Sequence, residues 1–174
     1  MRIIPLSKAS LSFKVLVSFF LINVAVGYIF GLIHIFTDVG FSYTGIVTHY
    51  RGDIKELSVP PEFAFAKMIH HQHVHVFGLS MLFLLIGIIF TFTRLPEWAK
   101  TIFVMGPFLG LILDLTSFWL LVFVSPLFAW LAMTFGAFMG FSFFLIIGRP
   151  LYEMWILPIW YHKWGKVNVP WFLR

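Results

Sequence analysis

Residues 67–92 read KMIHHQHVHVFGLSMLFLLIGIIFTF: four histidines within positions 70–75, then an apolar run that carries no charge before Arg94. As a helix rising 1.5 Å per residue, positions 68–92 reach about 37 Å, enough to cross a hydrocarbon core of about 30 Å. The stretch therefore predicts a membrane span with a polar, imidazole-rich mouth. Three further segments meet the same criterion, about 12–36, 100–124 and 127–148.

Composition agrees with this reading. Only 11% of the 174 residues are charged and 60% are hydrophobic, against roughly 25% charged for a soluble domain. The expected fold class is all-α: an integral membrane four-helix bundle forming a single transmembrane domain over 1–174. The first apolar run, from about Leu11 to Phe36, is too long for a signal-peptide core and is read as retained. TRLPEWAK joins the second and third spans, and Ser125 and Pro126 join the third and fourth. Links this short make sequential helices antiparallel neighbours.

Four spans put both termini on one side. That side holds Arg2, Lys8, Lys14, Arg94, Lys100, Arg149, Lys163, Lys166 and Arg174, against Arg51, Lys55 and Lys67 on the other. The positive-inside rule places both termini in the cytoplasm, residues 37–66 as a 30-residue outer loop, and the histidine cluster near the outer face. The tail, 149–174, carries Trp155, Trp160, Trp164 and Trp171 beside lysines, the composition of a segment lying at the membrane interface. His162 is read as a surface residue of that tail. The formal charge of +5 follows from topology, and nucleic acid is not expected as a partner. Cysteine is absent, which excludes disulfides, thiolate-held iron–sulfur clusters and covalent haem attachment.

Small residues let helix backbones approach in lipid. Asn23, Gly27, Gly31 and His34 fall within an arc of about 80° on the first helix, and Gly106, Gly110, Asp114 and Ser117 share a similar arc on the third. The fourth offers Ala132, Gly136 and Gly140. Plain packing accounts for the fourth helix; where glycine shares an arc with His34 or Asp114, room beside a flat cofactor is a second explanation.

Successive 100° steps put His71 and His75 on one face of the second helix, with Gly78, and His70 and His73 roughly 150° away. His34 lies within about a turn of the depth of His71 and His75. Two imidazoles from facing helices, with glycine beside them, suit a bis-histidine haem b, for which Arg51 and Lys67 are the natural propionate counter-charges. Two other readings fit the same residues. His34, His70, His71, His73 and His75 are a ligand pool for Zn²⁺ or Cu²⁺, and histidines at a helix mouth also serve as interfacial polar residues or a proton relay. His49 is read as solvated, with a second site alongside His70 or His73 as its alternative. Asp114, the carboxylate within the third span, is positioned to accept a quinol proton, to orient a ligand histidine, or to bond Ser117, Thr116 or Asn23 across the bundle.

Read together, YTGIVTHYRGD and HHQHVHVFGLSMLFLLIG resemble a family of small, histidine-rich, four-helix inner-membrane proteins found near multihaem cytochromes in anaerobically respiring bacteria. HVHVFG is also similar to the histidine-led helix openings of haem-bearing membrane oxidases, although the further histidine sets of a haem–copper centre are missing. The resemblance implies a cytochrome b-like redox subunit of the bacterial cytoplasmic (inner) membrane, with His73 and His75 matching the motif best. Its cofactors would be one haem b or two, and a quinone. Its partners would be lipid, other subunits of a membrane complex and a periplasmic c-type cytochrome. It would act as an electron-transfer subunit more than as an enzyme alone, with Asp114 as the catalytic proton acceptor and His34, His71, His75, Arg51, Lys67, Gly31 and Gly78 around the cofactor. The alternatives are a non-redox Zn²⁺- or Cu²⁺-binding membrane protein and a scaffold subunit.

Overall fold

The computed structural model describes residues 6–52 and 61–164, without the side chains of 61–64, Lys67 and 161–164. Lys67 as a propionate partner and His162 as a surface residue therefore lie outside the described side chains. Among the described residues the α-helices are α1 (Leu11–Asp38), α2 (Tyr43–Arg51), α3 (Pro61–Thr91), α4 (Glu97–Phe123), α5 (Ala129–Leu151) and α6 (Leu157–Trp164). There is no strand among the described residues. Among the described residues, four helical stretches are long and apolar enough to cross a membrane: Leu11–Asp38, Met68–Thr91, Glu97–Phe123 and Pro126–Trp160. The protein is an all-α, multi-pass membrane bundle.

Local chemistry sets the helix ends. Ser10 Oγ accepts the Phe13 N–H at 3.4 Å to cap α1, and Ser42 Oγ accepts the Gly45 N–H at 3.0 Å to cap α2. Both satisfy a backbone donor that the first helical turn leaves open. Gly52 ends α2 with φ 81°, a left-handed conformation that glycine adopts without a Cβ penalty. A side chain on Gly45 would collide with the Val39 carbonyl oxygen, so this glycine lets α2 fold back tightly against the end of α1.

The best-packed pair is α4 and α5. A Cβ on Gly106 would come within 2.8 Å of Ser142 Oγ, and one on Gly110 within 2.8 Å of Met139 Cβ. The glycine arc of α4 does bring two backbones together, as its sequence predicts. Phe83, Ile86 and Phe90 of α3 add to this pair, as do Val17 and Leu21 of α1, burying one core with Leu111, Phe143 and Ile146. That core also takes in Leu6 and Met154. α2 forms a cap, seating Ile46 and Val47 on Leu121 and Ala129. Tyr43 stacks on Trp130 at 5.5 Å, and Arg51 Nη1 donates to the Leu121 carbonyl at 3.3 Å.

Two expectations change. The arc Asn23, Gly27, Gly31 and His34 does not face the bundle; all four are exposed, and nothing stands within 4 Å of a Cβ placed on Gly27 or Gly31. α1 docks through a different arc, with Leu21 buried and Tyr28 stacked on Phe143 at 4.2 Å, its hydroxyl over Gly140. The larger contact area of an aromatic ring decides the rotation of the helix.

The second change is at residue 149, where the sequence reading begins an interfacial tail. The helix continues past Pro150 through a π-turn at Tyr152–Ile156, in which the Leu157 N–H bonds Tyr152 O, and on into α6. Proline removes one helical donor, and the wider turn beyond it keeps the chain helical. A 35-residue span is about 52 Å long, so its last turns pass beyond the hydrocarbon, where Trp155 and Trp160 are exposed. This continuation places Glu153, a residue of the expected tail, within the helix. Glu153 is fully buried and accepts from the Arg94 backbone N–H and from Arg149 Nε at 2.8 Å.

Candidate functional site: the imidazoles beneath the α2 cap

Gln72 fixes the rotation of α3 at the cap end. Its Nε2 donates to the Leu115 carbonyl of α4 at 2.8 Å, which points this residue inward and turns its neighbours to either side. His71 and His75 share one flank, half-buried, with ring centroids 4.2 Å apart. His71 also faces the Tyr50 ring of α2 at 6.3 Å and the Phe118 ring of α4 at 6.2 Å, while Tyr50 and Phe118 meet at 4.6 Å. Three helices thus contribute rings to one cluster. His49 closes its outer side, edge-on to Tyr50 at 4.9 Å.

His70 and His73 are exposed on the other flank, where they line a shallow concavity with Phe65, Ala66 and Ile69. His34 stands apart again. Its side chain is 74% exposed, and Nδ1 lies 3.2 Å from Asp38 Oδ2, while Thr37 Oγ1 donates to Asp38 Oδ1 at 3.1 Å. This carboxylate–imidazole pair is the arrangement that orients a ligand histidine and leaves its other nitrogen outward. The five histidines of the expected metal set therefore point in three directions. No three His, Asp or Glu side chains converge on a metal position among the described residues.

Asp114 lies in the bundle against α5, where a Cβ on Gly136 would sit 3.3 Å from its Oδ1. The cross-bundle hydrogen bonds expected for it do not form. Thr116 Oγ1 donates to Ile112 O, Ser117 Oγ to Leu113 O and Asn23 Nδ2 to Phe19 O, each on its own helix. Asp114 lies within electrostatic reach of Tyr50: burial and then Asp114 push the Tyr50 phenol up to about 12.

Arg51 lies beside the cluster but spends at least one donor on α4's last carbonyls, where a cation also complements the helix dipole. Gly78, one turn below His75 on the same flank, has open space where a side chain would be, as does Gly31 on α1. Sequence reasoning missed Tyr50, Phe118 and Gln72. A signal for Tyr50 was present, because Tyr43, Ile46, Val47 and Tyr50 recur at helical spacing within a segment taken as loop.

A family model described as a transmembrane helical domain matches residues 40–158. The chain belongs to this family. The transmembrane helical domain takes in α2 through α5, so the cap, the imidazole cluster and Asp114 all fall inside it, whereas α1 with His34 precedes it. No curated protein and no solved structure matches the chain.

Proposed function

We propose that the protein is a haem b-binding redox subunit of a bacterial inner-membrane complex, passing electrons between membrane quinol and a c-type cytochrome or catalytic subunit on the outer face. The observation that carries this reading is the His71–His75 pair, two half-buried imidazoles 4.2 Å apart beside the bare backbone of Gly78. Haem, when bound, supplies one-electron iron chemistry that no side chain of this cysteine-free protein offers.

His71 and His75 share one side of α3, and one of them, His75 by its similarity to the HVHVFG motif, would hold the haem iron. The second histidine would be His34, oriented by Asp38 on an exposed face of α1, which would have to turn toward α3 to reach the same group. Gly31 and Gly78 would leave the backbone beside these histidines uncrowded, and Arg51, with Lys67, would neutralise the propionates. Asp114, inside the bundle against Gly136 of α5, would take the quinol proton. The lysine and arginine asymmetry sets the cluster at the outer face.

The test is the dithionite-reduced minus oxidised visible spectrum of the detergent-purified chain, made with ample haem and quantified as pyridine haemochrome. A sharp α-band of six-coordinate haem b is expected, and His34→Ala should convert it to a high-spin spectrum. A featureless spectrum rejects the proposal. Metal analysis of that sample would then decide between a Zn²⁺ or Cu²⁺ protein using the His71–His75 pair and a scaffold subunit.

A further inference from the structure

We propose that the basic cluster around Ser7, formed by Lys8, Lys14, Arg94 and Arg149, binds the phosphate of an anionic phospholipid in the cytoplasmic leaflet. This interaction surface is independent of the redox reading and lies at the other end of the bundle from the imidazoles.

Two cations converge on one neutral residue. Lys14 Nζ donates to the Ser7 carbonyl at 2.8 Å, and Arg94 Nη2 donates to Ser7 Oγ at 2.5 Å. Arg149 joins them through Glu153, which accepts both Arg149 Nε and the Arg94 backbone N–H. Lys8 is exposed in the same short segment as Ser7. The carboxylates do not balance this charge. Of the seven acidic residues, Asp38, Asp53, Glu56 and Glu62 fall by sequence on the outer side of the spans, and Asp114 is inside the bundle. Glu97 lies 2.9 Å from Lys100. One acidic side chain, Glu153, is left for the four cations, a surplus of three positive charges.

The depth of the cluster matches that of lipid phosphate. α1 has 28 residues, about 42 Å against a hydrocarbon core of about 30 Å, so its first turn, with Lys14, stands at the level of the head groups. Trp155, whose Nε1 donates to Ser18 Oγ at 2.8 Å, and Trp160 are exposed at the same end, where indole rings settle between hydrocarbon and water. The positive-inside rule makes this the cytoplasmic side. Lysine and arginine there meet an anionic leaflet and bond phosphate oxygens through charge-assisted hydrogen bonds. The segment before α1, the α3–α4 turn and the end of α5 each contribute a cation, so a bound phosphate would bridge all three.

The experiment titrates the full chain, purified in uncharged detergent, with dioleoylphosphatidylglycerol or with zwitterionic dioleoylphosphatidylcholine, and counts bound lipid by native mass spectrometry. The anionic lipid should bind about tenfold more tightly or better, and Lys14→Gln and Lys8→Gln should each weaken it about fivefold while leaving the zwitterionic lipid unchanged. Lys8→Gln alters an exposed side chain, so the test stands even if Lys14→Gln, which frees the Ser7 carbonyl, does not fold. Lys100→Gln removes the same charge at the same end, but from a lysine paired with Glu97, and should bind as the parent does. The site is overturned if the parent binds both lipids equally, or if neither Lys8→Gln nor Lys14→Gln weakens the anionic one. It is equally overturned if Lys100→Gln weakens binding as much as they do, since the net charge of this end would then explain all three. Inorganic phosphate, compared with chloride at matched ionic strength, should not displace the lipid; displacement would assign the cluster to a free anion and overturn the lipid site.

Discussion

Both carboxylate oxygens of Glu153 accept the backbone N–H of Arg94, each at 2.9 Å, which ties the turn between α3 and α4 to the far end of the last span. Arg149 Nε bonds the same carboxylate at 2.8 Å, and Arg94 Nη2 reaches Ser7 Oγ at 2.5 Å in the segment before α1. Lys14 Nζ donates to the carbonyl of that serine at 2.8 Å, and Trp155 Nε1 to Ser18 Oγ at 2.8 Å. One buried acid thus links three parts of the chain. Removing one partner of a buried ion pair leaves the other charge uncompensated, at a cost of about 3–5 kcal/mol. Glu153→Ala should therefore lower the thermal unfolding midpoint in detergent by many degrees. An unchanged midpoint would show that this network holds nothing together.

The close approach of α4 and α5 predicts opposite outcomes for two glycines. Gly110→Ala must push Met139 away, at about 1–3 kcal/mol for overpacking. Gly27→Ala meets open space and should shift stability by no more than about 0.5 kcal/mol. Equal effects of the two variants on resistance to denaturing detergent would contradict the described α1 rotation.

Tyr50 predicts a pH dependence confined to alkaline solution. Its phenol ionises near 10 when unfolded and near 12 in the folded protein. Between those values the unfolded state holds fewer protons, so stability falls as pH rises, while below pH 10 this group contributes no slope. The difference in unfolding midpoint between the parent and Tyr50→Phe should be flat to pH 10 and then shrink toward pH 12. A difference that widens over that range would reverse the sign and refute the assignment.

The α2 cap should be separable from the bundle. Ser42→Ala deletes the N-cap acceptor, worth about 1 kcal/mol, and should speed hydrogen exchange in residues 43–51 while sparing 99–115. Uniform acceleration across both segments would mean that the cap does not open by itself.

Much of this architecture is written in local pattern. The four spans follow from length and hydropathy, and Gly106 and Gly110 announce the α4–α5 contact because small residues at i and i+4 leave few other uses for that face. The rotation of α1 is not written so. Its glycine arc and its Tyr28–Leu21 arc are both plausible contact faces, and the choice rests on Phe143 and Gly140 lying opposite, more than a hundred residues away. Glu153 was hidden by Pro150, which signals a break in sequence; the chain answers with a π-turn and stays helical. Within the site, the helical period places His71 and His75 together and His70 and His73 apart. It cannot place Tyr50 or Phe118, whose meeting with His71 depends on where α2 folds over.

α1 is held at both ends of the stretch that carries His34. Val17, Leu21 and Tyr28 fasten it to the core, and Val39, just past its last turn, packs into the cap cluster. His34 sits about 9 Å beyond Tyr28, between those two anchors, so any shift of the cap relative to the core would carry its imidazole along.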